Sequence, residues 1–281
     1  MANRFNLQFE RNIGLMEYFW YVIAALGAGV TTGLVGLSAA AVMVPILIVL
    51  CNSTFGGATG AFQAVAIALA SDVLASIVST LIYIRHRNID LKRSWIVIVC
   101  VITMCIVGTI IAYFIPNNIN VAFSLALCVF IGVRFLIQPD PKGKRLVPKG
   151  TSLDRRGIIL SVLFGLGIGL IVGYVGTGGG LMMLLVFTLF LGMERRTAVG
   201  TSTFIMAIAA LVAFSAHAVA EMEILRERWD VLAICAPVAT LGAVVSSLFA
   251  NKVNGKVVGI VTGAILTALG IVLLILNFAV K

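Results

Sequence analysis

Gly165-Leu166-Gly167-Ile168-Gly169-Leu170-Ile171-Val172-Gly173-Tyr174-Val175-Gly176-Thr177-Gly178-Gly179-Gly180 lies inside an apolar run that continues to Leu191. Glycine lets a helix stop, bend or admit a second backbone at close range. Irregular backbone is not tolerated against lipid, so a broken stretch in a membrane must be buried in protein or line a polar cavity. The flanking sequence makes the membrane the setting. The chain of 281 residues is 61% hydrophobic and 11% charged, with a mean hydropathy of +1.13. Soluble domains carry about twice that share of charge. The composition therefore predicts an all-α polytopic membrane protein with no separate soluble domain.

Eight apolar segments follow one another, at roughly 18–50, 60–84, 95–115, 119–137, 157–192, 197–219, 229–250 and 256–278. About 20 residues cross the hydrocarbon. The first and fifth segments are too long for one straight helix, and each is expected to be broken at its glycines. The organisation expected is an N-terminal cytoplasmic tail (1–17), a first transmembrane repeat (18–137), a basic cytoplasmic linker (138–156) and a second repeat (157–281).

The repeat is read from register. A shift of 140 places Gly27, Gly29, Gly33 and Gly36 on Gly167, Gly169, Gly173 and Gly176. A shift of 134 then places Ala64-Val65 on Ala198-Val199, Trp95 on Trp229, Gly108 on Gly242, Asn117 on Asn251 and Asn120 on Asn254. A colinear series of this kind signals duplication. Each half holds four segments, an even number, so two parallel four-segment repeats are expected, related by an axis along the membrane normal.

With eight crossings and a cytoplasmic N-terminus, the inner side holds 16 of the 20 basic residues, leaving Arg195, Arg196, Lys252 and Lys256 outside. That is the positive-inside pattern, and it also accounts for the formal charge of +9 without nucleic acid. Both termini are then expected in the cytoplasm. The five cysteines show no metal-type spacing and read as small buried apolar residues. No cleaved signal peptide is expected.

Three features carry candidate chemistry. A half-helix starting at Gly178-Gly179-Gly180 would aim free N–H groups into the membrane, and such an end suits an anion. Gly176 and the Thr177 hydroxyl belong to the same stretch; the matching first-half positions are Gly36 and Ser38, followed by Ala39-Ala40. Gly27, Gly29, Gly167 and Gly169 read instead as close-packing positions between helices. The second feature is the start of the next helix in each half, Gln63-Ala64-Val65 and Thr197-Ala198-Val199-Gly200-Thr201-Ser202-Thr203. Thr201, Ser202 and Thr203 would turn hydroxyls to the glycine break, or else satisfy backbone carbonyls. The third is Asp72, a carboxylate in the middle of an apolar helix. Such a group is a functional candidate by default, here for coupling to a proton or cation. The competing reading is a structural Asp held through Ser71 or Ser76.

Enzyme chemistry finds little support. Gly36-Leu37-Ser38 with a remote His217 is a weak echo of an intramembrane serine protease, and its members fall in different repeats. There is no phosphate-binding loop, metal-ligand spacing or dinucleotide fingerprint, so no cofactor or metal is expected.

The duplicated halves, Gly173-Tyr174-Val175-Gly176-Thr177-Gly178-Gly179-Gly180 and the following Arg196-Thr197-Ala198-Val199-Gly200-Thr201-Ser202 resemble the TauE/SafE sulfite-exporter family of membrane permeases. The resemblance implies a secondary transporter, often an exporter, for sulfite, sulfonates or related small organic anions in the bacterial inner membrane. The first half departs from the family pattern, with Ser38-Ala39-Ala40 where a glycine run is common. The expected partners are a small oxyanion, a coupling proton or sodium ion and the bilayer; a homo-oligomer is compatible with the sequence. A non-transporting sensor or assembly module, or an anion channel, would also fit the composition.

Overall fold

A computed structural model describes residues 2–51, 60–114, 117–138, 155–175, 179–220, 228–250 and 252–279. Every regular element among them is helical. In chain order these are α1 (Ala2–Val35), α2 (Ala40–Leu50), α3 (Gly60–Arg85), α4 (Leu91–Phe114), α5 (Asn117–Ile137), α6 (Arg155–Val175), α7 (Gly179–Leu185), α8 (Arg195–Ala220), α9 (Trp229–Ala250) and α10 (Gly255–Ala279). A π-helical turn, Val186–Phe190, extends α7. Six of these helices carry stretches long and apolar enough to cross a membrane, in α1, α3, α4, α6, α8 and α9; α5 and α10 hold shorter apolar stretches.

The outward faces are apolar. Phe130, Leu163 and Leu241 are each more than 60% exposed, which water would not accept over so wide a surface but lipid does. Trp95 and Trp229 are also exposed, at the starts of α4 and α9. That is where interfacial aromatic residues belong. The inward faces are made of small residues, among them Ala24, Ala25, Ala28, Ala239 and Ala243. Small side chains permit close approach where packing, not hydrophobic exclusion, holds helices together.

Two interfaces use glycine in the same manner. On α1, Gly29 lies on the Ala239 carbonyl and Gly33 on Ala243 and Ser246 of α9. On α6, Gly169 lies on Val101 and Gly173 on Cys105 and Thr109 of α4. A side chain on Gly29, Gly33, Gly169 or Gly173 would drive into the neighbouring backbone. Gly167 is different: nothing lies within 4 Å of where its Cβ would stand, so the expected packing role does not extend to it.

The first long apolar run is a hairpin. Val42 of α2 packs 3.6 Å from the Cβ position of Gly27 on α1. Residues 27 and 42 would be about 20 Å apart had the helix continued straight. The run therefore enters, turns at Gly36–Ala39 and returns toward the side it came from.

That return overturns the expectation of parallel halves. The helix directions agree. Tyr83, near the end of α3, reaches Gly33 near the end of α1, so α1 and α3 point the same way. The start of α8 meets the end of α3: Gly200 lies against Asn88 and Tyr83, and the Asp90 N–H donates to the Thr201 hydroxyl at 3.0 Å. Helices α3 and α8, which the register pairs as equivalents, are therefore antiparallel. So are α5 and α10, where Gly132 meets Thr267 and Gly270 meets Val129. The ends flanking the linker consequently lie on the face opposite the N-end of α1.

Candidate functional site

The first break is built around Gly36. Its N–H closes the last turn of α1 on the Thr32 carbonyl at 2.9 Å. Its φ is +69°, a conformation that costs a side-chain-bearing residue about 1–2 kcal/mol. Four residues later α2 begins, with the Met43 N–H donating to the Ala39 carbonyl at 3.0 Å.

The start of α2 is capped from another helix. Asp72, in the middle of α3, accepts from the Ser38 hydroxyl at 2.6 Å on Oδ2 and from the Ala39 N–H at 2.9 Å on Oδ1. All three residues are buried, Asp72 completely. A carboxylate at a helix N-terminus meets both the unpaired N–H groups and the positive end of the helix dipole. Neither Ser71 nor Ser76 contacts this carboxylate: Ser71 donates to the Ile67 carbonyl and Ser76 to the Asp72 carbonyl. The structural partner of Asp72 is thus the break of the preceding hairpin.

The start of α7 touches the first break. Gly180, at the start of α7, lies against the Gly36 carbonyl and the Leu37 backbone. Across from them stands the first part of α8. The Cβ position of Gly36 is 2.6 Å from the Ser202 hydroxyl, 2.9 Å from the Thr203 hydroxyl and 3.0 Å from the Val199 carbonyl. Ser202 and Thr203 both donate to that carbonyl, at 2.9 and 2.8 Å. Gly36, Gly180 and Ser202 therefore converge, with Ser38 and Asp72 directly behind Gly36.

Other predicted residues lie elsewhere. The Thr201 hydroxyl is engaged by Asp90 and faces the loop after α3. Gln63 is half-buried and stands nine residues before Asp72, roughly 13 Å along α3. Gly176, Thr177 and Gly178 lie outside the described residues. Gly179 packs on Val172, with Met206 Sδ 3.2 Å from its Cβ position. Met206 is the register equivalent of Asp72, so the two helix starts meet different side chains: a carboxylate at α2, a thioether at α7.

Sequence reasoning passed over Tyr83, which the shift of 134 places on His217. It is buried and donates to the Gly33 carbonyl at 2.6 Å, tying α3 to the last turn of α1 just before the break. The available signal was a phenol in the last turn of an apolar helix, where a buried hydroxyl needs a partner.

Broken helices meeting inside a bundle with a lipid-facing apolar surface define a polytopic membrane protein built around a buried backbone junction. The chain belongs to the sulfite exporter TauE/SafE family, a family of membrane transporters, whose model matches residues 21–273. It is also similar to the Probable membrane transporter protein YunE of Bacillus subtilis (strain 168), with 23% identity over 269 residues that cover 91% of this chain and 96% of that protein. No solved structure matches the chain.

Proposed function

We propose that this protein is a secondary transporter that exports small oxyanions such as sulfite and sulfonates across the bacterial plasma membrane. The anion binds where the two breaks converge, held by backbone at Gly176–Gly180, by Gly36 and by the Ser202 hydroxyl. The observation that carries this reading is the contact of Gly180 with Gly36, with Ser202 beside Gly36. Broken helices that meet inside a transporter supply hydrogen bonds without a fixed charge, and they sit where two halves can rock against each other.

Asp72 couples transport to a proton or sodium ion. Its carboxylate holds the start of α2 through Ser38 and Ala39. Neutralising it weakens the grip on the first break, which forms one wall of the site. Coupling and site geometry thereby share one element.

The halves are related as inverted repeats. The support is the shared glycine packing of α1 on α9 and α6 on α4, together with the antiparallel α5 and α10. Counted by the helix ends that flank them, 15 of the 20 basic residues then fall on the linker face, and only Arg4, Arg11, Arg226, Arg228 and Lys281 on the other. The positive-inside rule puts the linker face in the cytoplasm, and both termini outside, opposite to the reading from eight crossings.

The test is flux of labelled sulfite and a labelled sulfonate in proteoliposomes, with counterflow to distinguish a carrier from a channel. Wild type should show saturable counterflow. Gly180→Leu should reduce it at least about tenfold, because the added side chain displaces Gly36 from the junction. Full flux in Gly180→Leu would sink the site assignment.

A further inference from the structure

Arg195 opens α8 and stands two turns before Ser202. At 3.6 residues per turn, Arg195, Val199 and Ser202 share one face of the helix. That face looks onto the first break, since the Val199 carbonyl and the Ser202 hydroxyl are what a side chain on Gly36 would meet. Arg195 is half-buried, with its Nη1 atom buried. Gly200, five residues further along α8, lies against Tyr83 and Asn88 at the end of α3, and Tyr83 is bonded to Gly33, three residues before Gly36. Arg195 therefore stands on the turn of α8 that meets the ends of α1 and α3, roughly 10 Å along the axis from Ser202.

The junction itself offers hydroxyls and backbone but no cation among Gly36, Leu37, Gly180, Val199, Ser202 and Thr203. Arg195 is the positive charge aligned with it, on the face rich in Lys and Arg. The register equivalent of Arg195 in the first half is Ala61, so the charge serves one side of the junction. A guanidinium stays protonated at any working pH and presents a planar fork that matches two oxygens of an oxyanion.

We propose that Arg195 is the residue that captures the oxyanion on the basic face and delivers it to the Gly36–Ser202 junction, selecting anions with two or more oxygens over halides. This rests on the transport reading above and assigns it a substrate-binding cation.

The experiment measures KM for labelled sulfite and a labelled sulfonate, with chloride as competitor, in proteoliposomes of the full chain. Arg195→Gln should raise KM about tenfold with Vmax within about twofold, as loss of a charge-assisted pair predicts. Arg195→Lys keeps the charge but loses the fork; it should raise KM about threefold and make chloride a stronger competitor. Exposed Arg196, one position on, is the control, and Arg196→Gln should keep the wild-type KM. If Arg195→Gln does not fold, Arg195→Lys decides alone. Wild-type KM and wild-type chloride competition in Arg195→Lys would overturn the role of Arg195 while leaving the transport reading intact. Absence of flux in the wild-type protein for every oxyanion tried would overturn the transport reading itself.

Discussion

At Gly36 a positive φ and a crowded Cβ position coincide. Gly36→Ala should lower stability by about 1–3 kcal/mol, from backbone strain plus contact with the Ser202 hydroxyl. A thermal-unfolding series in detergent checks this. Ser202→Ala in the same chain should recover part of the loss, since it removes the nearest atom; strict additivity of the two changes would mean that they do not touch. Asp72 allows a sharper separation. Asp72→Asn keeps an oxygen for the Ala39 N–H and can donate to Ser38, so the protein should fold. Its flux should no longer respond to an imposed proton or sodium gradient that drives the wild type. Equal gradient dependence in the two proteins would remove Asp72 from coupling. Asp72→Leu leaves the Ala39 N–H and the Ser38 hydroxyl buried and unpaired, at about 1–3 kcal/mol each. It should unfold at a distinctly lower temperature than Asp72→Asn.

At the scale of elements, the glycines sort themselves by what lies opposite. Gly173 rests on the Cys105 carbonyl, whereas Gly167 faces open space on the same helix. Gly173→Leu should fail to fold or lose several degrees of thermal stability, because α4 cannot retreat without separating from α8. Gly167→Leu should stay within about 0.5 kcal/mol of wild type, as substitutions away from any contact do. Size-exclusion profiles and unfolding midpoints of the two variants, run side by side, check this. Sequence register marked both glycines alike, as members of one repeated series. It could not tell them apart because helical periodicity names a face, and only the partner helix says whether that face is occupied. Thr201 and Ser202 show the same limit. They are adjacent hydroxyls in one motif, yet one accepts from the loop after α3 and the other stands at the junction.

For the whole molecule the prediction concerns sidedness. A cysteine at Lys149 in the linker and one at Asn3 near the N-terminus should label from opposite faces. In intact cells an impermeant thiol reagent should modify Asn3→Cys and spare Lys149→Cys; inverted vesicles should reverse the pattern. Labelling of both from one face would contradict the inverted arrangement.

Much of this architecture is written locally. Transfer of each side chain from water to lipid is nearly additive along a segment, so composition alone specifies a bundle of membrane helices. Glycine's lack of a side chain marks the close helix contacts and the break at Gly36. A carboxylate in an apolar helix marks Asp72 as exceptional. What the sequence could not determine was direction. Whether α2 continues α1 or folds back on it depends on a carboxylate 33 residues away that caps Ala39. That contact holds the start of the returning α2 against the middle of α3. Such choices rest on contacts between distant parts of the chain, whose energy no local window contains, and so only the tertiary structure decided them.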